Sequence, residues 1–417
     1  MEMIDKIREV IAIPSVTGAV GEGGMPYGTE VNRALKYMLS LCGSLGFRTK
    51  NCDDRLGWAE IGSGDKMMGI LCHLDVVPAG DGWDHEPFAA DVEDGKIYGR
   101  GVMDDKGPAM AAVFAMKDIL DSGRKLNMRV RIIFGCQEET GDWTDMEYYC
   151  DTEEIPSFGF TPDADFPAIY GEKGILMLEL AMPAEKSGFA ELEGGEAPNM
   201  VADWAKAVMV DGSVLTAEGK AAHGSTPEEG INAISRLMDE AAGKGAHFAE
   251  FYMQTIGFDL DGSHIGCKCS DEASGPLTFN SGRVEITGGM AVLKVDIRYP
   301  VTYNEAEILE NIEKAIEPWG VTSKVITSMA PVYMDQHGPV ITKLMEAYRE
   351  VTGDETEAQV MGGGTYARAM SNIVAFGPVF PGRECTEHTK NEWIFADDLE
   401  KARKIYELAI AKLACAD

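Results

Sequence analysis

The stretch MMGILCHLDV, residues 67–76, decides how this chain folds. Met67 to Cys72 carry no charge, and the run has the length of a strand buried on both faces. It is broken by His73 and Asp75, which stand two apart, so an extended backbone points both the same way. Other apolar runs follow the same plan. MRVRIIFGC (128–136) leads into Glu138 and Glu139, FGFTP (158–162) leads into Asp163, and IVAFGP (373–378) is a further strand candidate. Between the first two runs lies Gly107–Leu120, rich in alanine and methionine and patterned as a helix. Strand, helix and strand in this rhythm predict an α/β domain with a mostly parallel sheet flanked by helices.

Working outward, residues 3–13 place Ile4, Ile7 and Ile11 on one helical face, with Pro14 as a stop. Residues 30–46 form a second amphipathic pattern through Val31, Leu35, Met38 and Leu39, and residues 397–414 form a closing one through Leu399, Ala402, Ile405, Ala409 and Leu413. Around 183–198 the texture becomes polar and glycine-rich, which reads as a boundary loop. Beyond it, 213–223, 283–289 and 291–300 alternate like strands, and 304–317 spaces Ile308, Ile312 and Ile316 by four. The expectation is a smaller α+β domain inserted into the first. The catalytic domain then spans 1–180 and 329–417, and the insert spans 181–328. No internal repeat or low-complexity segment is visible.

Composition excludes several classes of function. The 417 residues are 45% hydrophobic and 25% charged, ordinary for a globular chain. Lys+Arg 37 against Asp+Glu 69 leaves a formal net charge of −32. A field of that sign repels phosphate backbones and anionic lipid, so neither nucleic acid nor membrane is an expected partner. No apolar run approaches the roughly 18 residues of a membrane span. The nine cysteines are irregularly spaced and no basic-then-apolar leader is evident, so reduced thiols and a cytoplasmic location are expected.

The chemistry gathers at the ends of the predicted strands. His-x-Asp at 73–75 supplies an imidazole and a carboxylate able to fix its tautomer, although alone it also fits a capped surface histidine. In YGRGVMDDKGP (98–108), Asp104 and Asp105 sit between glycines at a helix entrance, as a helix cap or as a metal-bridging carboxylate. Glu138 and Glu139 project in different directions and can hold different roles, or be a solvated pair. Asp163 beside proline fits a turn as well as a ligand. His388, in ECTEHTKNE, is by itself unremarkable. Together, His73, Asp104, Glu139, Asp163 and His388 form a mixed imidazole and carboxylate set suited to Zn²⁺, Co²⁺ or Mn²⁺. Five such donors are too many for one open tetrahedral site and suit two ions sharing a carboxylate. That leaves Asp75 to orient His73, and Glu138 as an uncoordinated base.

The segments HLDVVPAGDGWDHEPF (73–88), YGRGVMDDKGP (98–108), QEETG (137–141), FTPDADFPAIYGEKG (160–174), GKAAHGSTPEEGINA (219–233) and GGGTYAR (362–368) resemble metallopeptidase family 20, nearest to its bacterial Xaa-His dipeptidase branch. The resemblance runs in order over nearly the whole chain. It implies a zinc-peptidase-like catalytic domain and an inserted lid domain. It implies that Asp104 bridges two divalent metal ions, Zn²⁺ with Mn²⁺ or Co²⁺ as alternatives. His73 and Asp163 would complete one ion's ligands, and Glu139 and His388 the other's. Asp75 would orient His73, and Glu138 would be the general base. The Asp104–Asp105 bond stands where the family commonly has a cis peptide.

For the lid, the resemblance implies that His223 and Asn199 stabilise the oxyanion and that Arg298 holds the substrate's terminal carboxylate. Gly363, Gly364 and Thr365 would line the pocket. Only 24 positions separate Asn199 from His223, which implies a trimmed lid. The implied activity is hydrolysis of unblocked dipeptides, by a monomer or a homodimer formed through the lid. Deacylation of N-acyl amino acids or succinyl-diamines stays open as the alternative.

Overall fold

The computed structural model describes residues 3–18, 20–21 and 24–416. It divides into two units: one holds the chain up to Tyr170, Met334–Gln359 and everything from Thr365 onward, the other Gly171–Tyr333 and Val360–Gly364.

The first unit is built on a central sheet ordered Arg48–Cys52, Leu56–Ile61, Arg129–Gly135, Met67–His73, Phe158–Thr161 and Ile373–Ala375. The four strands from Arg129–Gly135 to Ile373–Ala375 are parallel, and the two outer strands at the Arg48 side join antiparallel. At the other side Ala375 pairs antiparallel with Ile169. The sheet is therefore mixed, with a parallel centre. The apolar runs explain that centre, because every residue of Met67–His73 is buried. Helix Lys106–Asp121 is buried from Lys106 through Met116 and packs against the sheet and against helices Met3–Ile11 and Ala396–Ala414. Ala396–Ala414 buries Leu399, Ala402, Ile405, Ala409 and Leu413, the stripe expected of it. This packing leaves the carboxyl ends of three adjacent parallel strands free to carry functional loops.

The second unit is a seven-stranded antiparallel sheet ordered Val214–Glu218, Trp204–Met209, Phe189–Gly194, Thr278–Thr287, Met290–Tyr299, Gly174–Pro183 and Thr322–Met329. Helices Ala233–Ala242, His247–Thr255 and Glu305–Ile316 contribute to its core. Gly174–Pro183 alternates as a half-buried strand should: Leu176, Leu178, Leu180 and Met182 are buried. This strand already belongs to the second sheet, so the chain departs at Gly171, ahead of 181. It returns beside its point of departure, with Tyr333 paired to Gly171 and Val332 to Glu172.

The polar stretch at 183–198 is not a loop. Its centre, Phe189–Gly194, is an interior strand paired with both Trp204–Met209 and Thr278–Thr287. Phe189 and Leu192 bury their side chains there. The glycines that disguise the strand serve close backbone approach: a Cβ on Gly195, at φ +69°, would stand 2.0 Å from the carbonyl oxygen of Gly282. All nine cysteines are free thiols. Among the described residues no helix is long and apolar enough to cross a membrane.

Candidate metal centre

Three strand ends of the first unit, one helix entrance and one late loop converge. His73 closes Met67–His73, Glu138 and Glu139 follow Arg129–Gly135, and Asp163 follows Phe158–Thr161. Asp104 precedes helix Lys106–Asp121, and the peptide bond between Asp104 and Asp105 is cis. His388 comes from the loop before Trp393–Phe395 and has a left-handed backbone, φ 59°. That loop is tied down by Thr386, whose Oγ1 accepts the Trp393 N–H at 3.0 Å, and by Asn391, which donates to Asp84 at 2.8 Å.

The donors form two groups of three. His73, Asp104 and Asp163 present ligand atoms within 4.8 Å of one another, and so do Asp104, Glu139 and His388. Asp104 belongs to both. Its Oδ1 lies 2.8 Å from Nε2 of His73, and its Oδ2 lies 2.9 Å from Nε2 of His388. Asp163 Oδ1 is 3.7 Å from His73 Nε2, and Glu139 Oε2 is 3.0 Å from His388 Nε2. Both imidazoles therefore direct Nε2 at the shared carboxylate.

Supporting contacts hold these atoms in place. His73 Nδ1 lies 3.0 Å from the backbone carbonyl of Asp75 and 3.6 Å from Asp75 Oδ1. A proton on Nδ1 donated to that carbonyl leaves Nε2 bare for a cation. The Asp75 carboxylate accepts the N–H of Glu138 on one oxygen and that of Glu139 on the other, both at 3.1 Å, and also the Thr17 hydroxyl at 3.0 Å. One residue thus holds the imidazole and the paired glutamates. Glu139 keeps Oε1 on the Val77 N–H at 3.1 Å.

Two contributors have no role assigned to them from the sequence. Asp145 is fully buried and accepts the N–H groups of Cys136 and Gln137, at 2.6 and 3.1 Å, together with the Tyr366 hydroxyl at 2.6 Å. It fixes the turn that leads to Glu138. Tyr366 reaches it because residue 135 is glycine; a Cβ there would lie 2.1 Å from the phenol oxygen. Tyr366 also sets its ring edge-on to His73, 6.1 Å between centroids. Asp145 reads as an ordinary helix-start residue, and only its partners reveal it.

The electrostatics of the cluster call for positive charge. Burial pushes the carboxyl of Glu138 well above the ordinary range, and the neighbouring charges of Asp163, Asp104 and Glu139 add to it against the opposing pull of His73. Burial likewise raises Glu139, and lifts Asp163 to about 7. Hydrogen bonds to Asp104 and Glu139 carry His388 up to about 11. At His73 burial works against the imidazolium, but Asp104, Asp163 and Asp75 outweigh it and hold the pKa well above normal. Asp104, between two imidazoles, stays ionised against the cost of its burial. Carboxylates that attract protons beside imidazoles that keep them are a site that a cation satisfies. Two imidazoles and three carboxylates are also a donor set suited to Zn²⁺, Mn²⁺ or Co²⁺.

The remaining predicted residues, Thr365 apart, belong to the second unit, where they are neighbours. The Gly224 N–H donates to Asn199 O at 2.7 Å, next to His223. A Cβ on Gly224 would stand 2.7 Å from Asp296 Oδ2, so the backbone here approaches that carboxylate closely. Asp296 holds Arg298 in a two-point pair, Nε–H to Oδ1 and Nη2–H to Oδ2, each 2.8 Å. Arg298 Nη1 donates to the Gly362 carbonyl at 3.0 Å, beside Gly363 and Gly364. His223 Nδ1 lies 2.7 Å from Ser225 Oγ, and burial with the charge of Arg298 lowers its pKa. Thr365 lies in the first unit, and its Oγ1 caps the short helix Tyr366–Ala369 by accepting the Ala367 N–H at 3.1 Å.

Residues 69–412 match the model of peptidase family M20/M25/M40. The chain belongs to this family. Among curated proteins it is 36% identical over 455 residues to one named "Putative dipeptidase YtjP" from Bacillus subtilis (strain 168), covering 99% of this chain and 97% of that protein. Human carnosine dipeptidase 1 shares the fold at TM-score 0.63 and 16% identity, over 98% of this chain and 95% of that one. So does Bacillus subtilis YXEP, described as a dinuclear metal binding peptidase of family M20, at TM-score 0.57 and 14% identity over 98% and 96%. As an M20 peptidase the chain is a metal-dependent hydrolase acting on peptides.

Proposed function

We propose that this M20 peptidase is a dipeptidase that uses two divalent ions, Zn²⁺ first among them. The observation that carries this is Asp104, whose two oxygens face two separate imidazoles, each within a group of three donors. His73, Asp104 and Asp163 would hold one ion, and Asp104, Glu139 and His388 the other. Bound there, such ions supply Lewis acidity toward the scissile carbonyl and a water acidic enough to ionise near neutral pH.

The chain's own residues supply the rest. Glu138 carries no ligand role and stands among the charges of His73, Asp163, Asp104 and Glu139. It takes a proton from the attacking water and returns it to the leaving amine. Asp75 keeps both Glu138 and His73 oriented.

The second unit acts in this proposal as a substrate-binding lid. His223 and Asn199 donate to the oxyanion. Arg298 takes the free carboxylate of the dipeptide. A guanidinium has five N–H donors. Asp296 and Gly362 occupy three, leaving one on each terminal nitrogen for a carboxylate fork. The relative named "Putative dipeptidase YtjP" and the family's metal dependence support the dipeptidase and divalent-ion parts of this reading.

The test is a substrate panel with the chain loaded with Zn²⁺, Mn²⁺ or Co²⁺. Unblocked dipeptides should show the highest kcat/KM, ahead of N-acetylated dipeptides, N-acyl amino acids and succinyl-diamines. Faster turnover of either of the last two classes would replace the dipeptidase assignment with a deacylase.

A further inference from the structure

Glu392 is fully buried, and its carboxylate is committed to one short loop. Oε1 accepts the N–H groups of Gly101, Met103 and Asp104, at 3.1, 2.9 and 3.3 Å. Oε2 accepts the Gly101 N–H at 3.2 Å and Nη1–H of Arg100 at 2.7 Å. Its backbone carbonyl takes the N–H of Gly99 at 2.9 Å. Arg100 is buried too, beneath the ring of Trp83 at 5.3 Å.

The sequence position of this acceptor matters. Glu392 stands four residues after His388, at the start of the ladder in which Trp393 pairs with Tyr98 and Ile394 with Ile97. One side chain therefore joins the loop that presents Asp104 to the loop that presents His388. Several N–H groups of residues 101–104 point to one spot, where they require an acceptor. A carboxylate there is worth its desolvation only if nearly all its lone pairs are used, as they are. The contact to the N–H of Asp104 itself fixes the backbone from which the shared carboxylate projects.

We infer that Glu392 is a positioning residue for the paired cation sites, setting Asp104 against His388 so that one carboxylate serves both groups of donors. The inference rests on the two-ion proposal above. Groups that orient metal ligands typically change metal affinity by about 10- to 100-fold when lost. Glu392→Gln keeps the shape but turns an N–H₂ toward backbone N–H groups.

The experiment titrates the chain with Mn²⁺ and records its electron paramagnetic resonance, with unfolding in EDTA as the check on the fold. The parent should bind two Mn²⁺ and show an exchange-coupled pair; a parent without that pair would overturn the two-ion proposal and this inference with it. In folded Glu392→Gln the second Mn²⁺ should bind about 10- to 100-fold more weakly and the coupled signal should give way to isolated Mn²⁺. Glu392→Asp keeps the charge but withdraws it by one methylene, should lose about tenfold, and carries the test if the glutamine variant does not fold. A folded Glu392→Gln with the parent's affinity and coupling overturns the inference while leaving the dipeptidase proposal intact. Failure of both variants to fold assigns Glu392 to the fold alone and also overturns it.

Discussion

Asp104 and His388 come from opposite parts of the chain and meet with Nε2 2.9 Å from Oδ2, while the other oxygen of Asp104 lies 2.8 Å from His73. This one carboxylate links two sets of donors, so its loss and the loss of His388 should differ. Elemental analysis after dialysis should show Asp104→Asn depleted of both ions and His388→Ala depleted of one. Both variants should lose at least about 10²-fold in kcat/KM, more than is typical for residues that only orient ligands. Full occupancy in Asp104→Asn would dismiss the shared-ligand scheme.

Glu138 lies beside the donors without a place in either group. Glu138→Gln should therefore keep its ions yet lose about 10²- to 10⁴-fold in kcat, the range of general-base catalysis. Metal analysis and steady-state kinetics on the same preparation separate the two effects. A variant that lost the ions would make Glu138 a ligand.

Asp145 offers a pH test. Burial first of all raises its carboxyl from 3.8 to about 6. Between those values the folded chain binds more protons at this site than the unfolded chain, so its contribution to stability falls as pH rises through both values and levels off about one unit above the folded one. Relative to the parent, Asp145→Asn should gain about 2 kcal/mol between pH 4 and pH 7. Urea unfolding in EDTA across that range measures it. A difference that does not vary with pH would show that Asp145 does not titrate there.

Arg298 is immobilised by Asp296 and the Gly362 carbonyl before any substrate arrives. Arg298→Ala should raise KM for free dipeptides by about 10- to 100-fold, as expected for a charged hydrogen-bonding partner, with a smaller effect on kcat. Its preference for free over C-terminally amidated dipeptides should disappear. Because that preference is a ratio within one variant, it is insensitive to the stability lost when Asp296 is left unpaired. An unchanged ratio would remove Arg298 from carboxylate recognition.

His223 acts through a different step. His223→Ala should lower kcat by about 10²-fold with metal content unchanged, the size expected for one oxyanion donor. Its pKa is lowered, so the imidazole is neutral at pH 7 and donates as a neutral group. Loss of KM alone, without kcat, would argue that His223 only binds substrate.

What the sequence determined by itself is local. Met67–Cys72, Arg129–Gly135 and Phe158–Thr161 were legible as strands because runs buried on both faces are mostly apolar, and His73, Glu138, Glu139 and Asp163 stood out because each follows such a run. Helix Ala396–Ala414 was legible because its apolar period shows which face it buries. Tertiary structure decided what depends on partners far along the chain. It made Phe189–Gly194 an interior strand despite its polar composition, because the hydrogen bonds of a strand belong to its neighbours. It set the outer strands of the first sheet antiparallel, since chain direction across a sheet is not written in any one strand. It gave Asp145, Tyr366 and Glu392 their places around the donors, because what distinguishes a buried carboxylate or phenol is the set of groups that close on it, and those come from segments that only folding brings together.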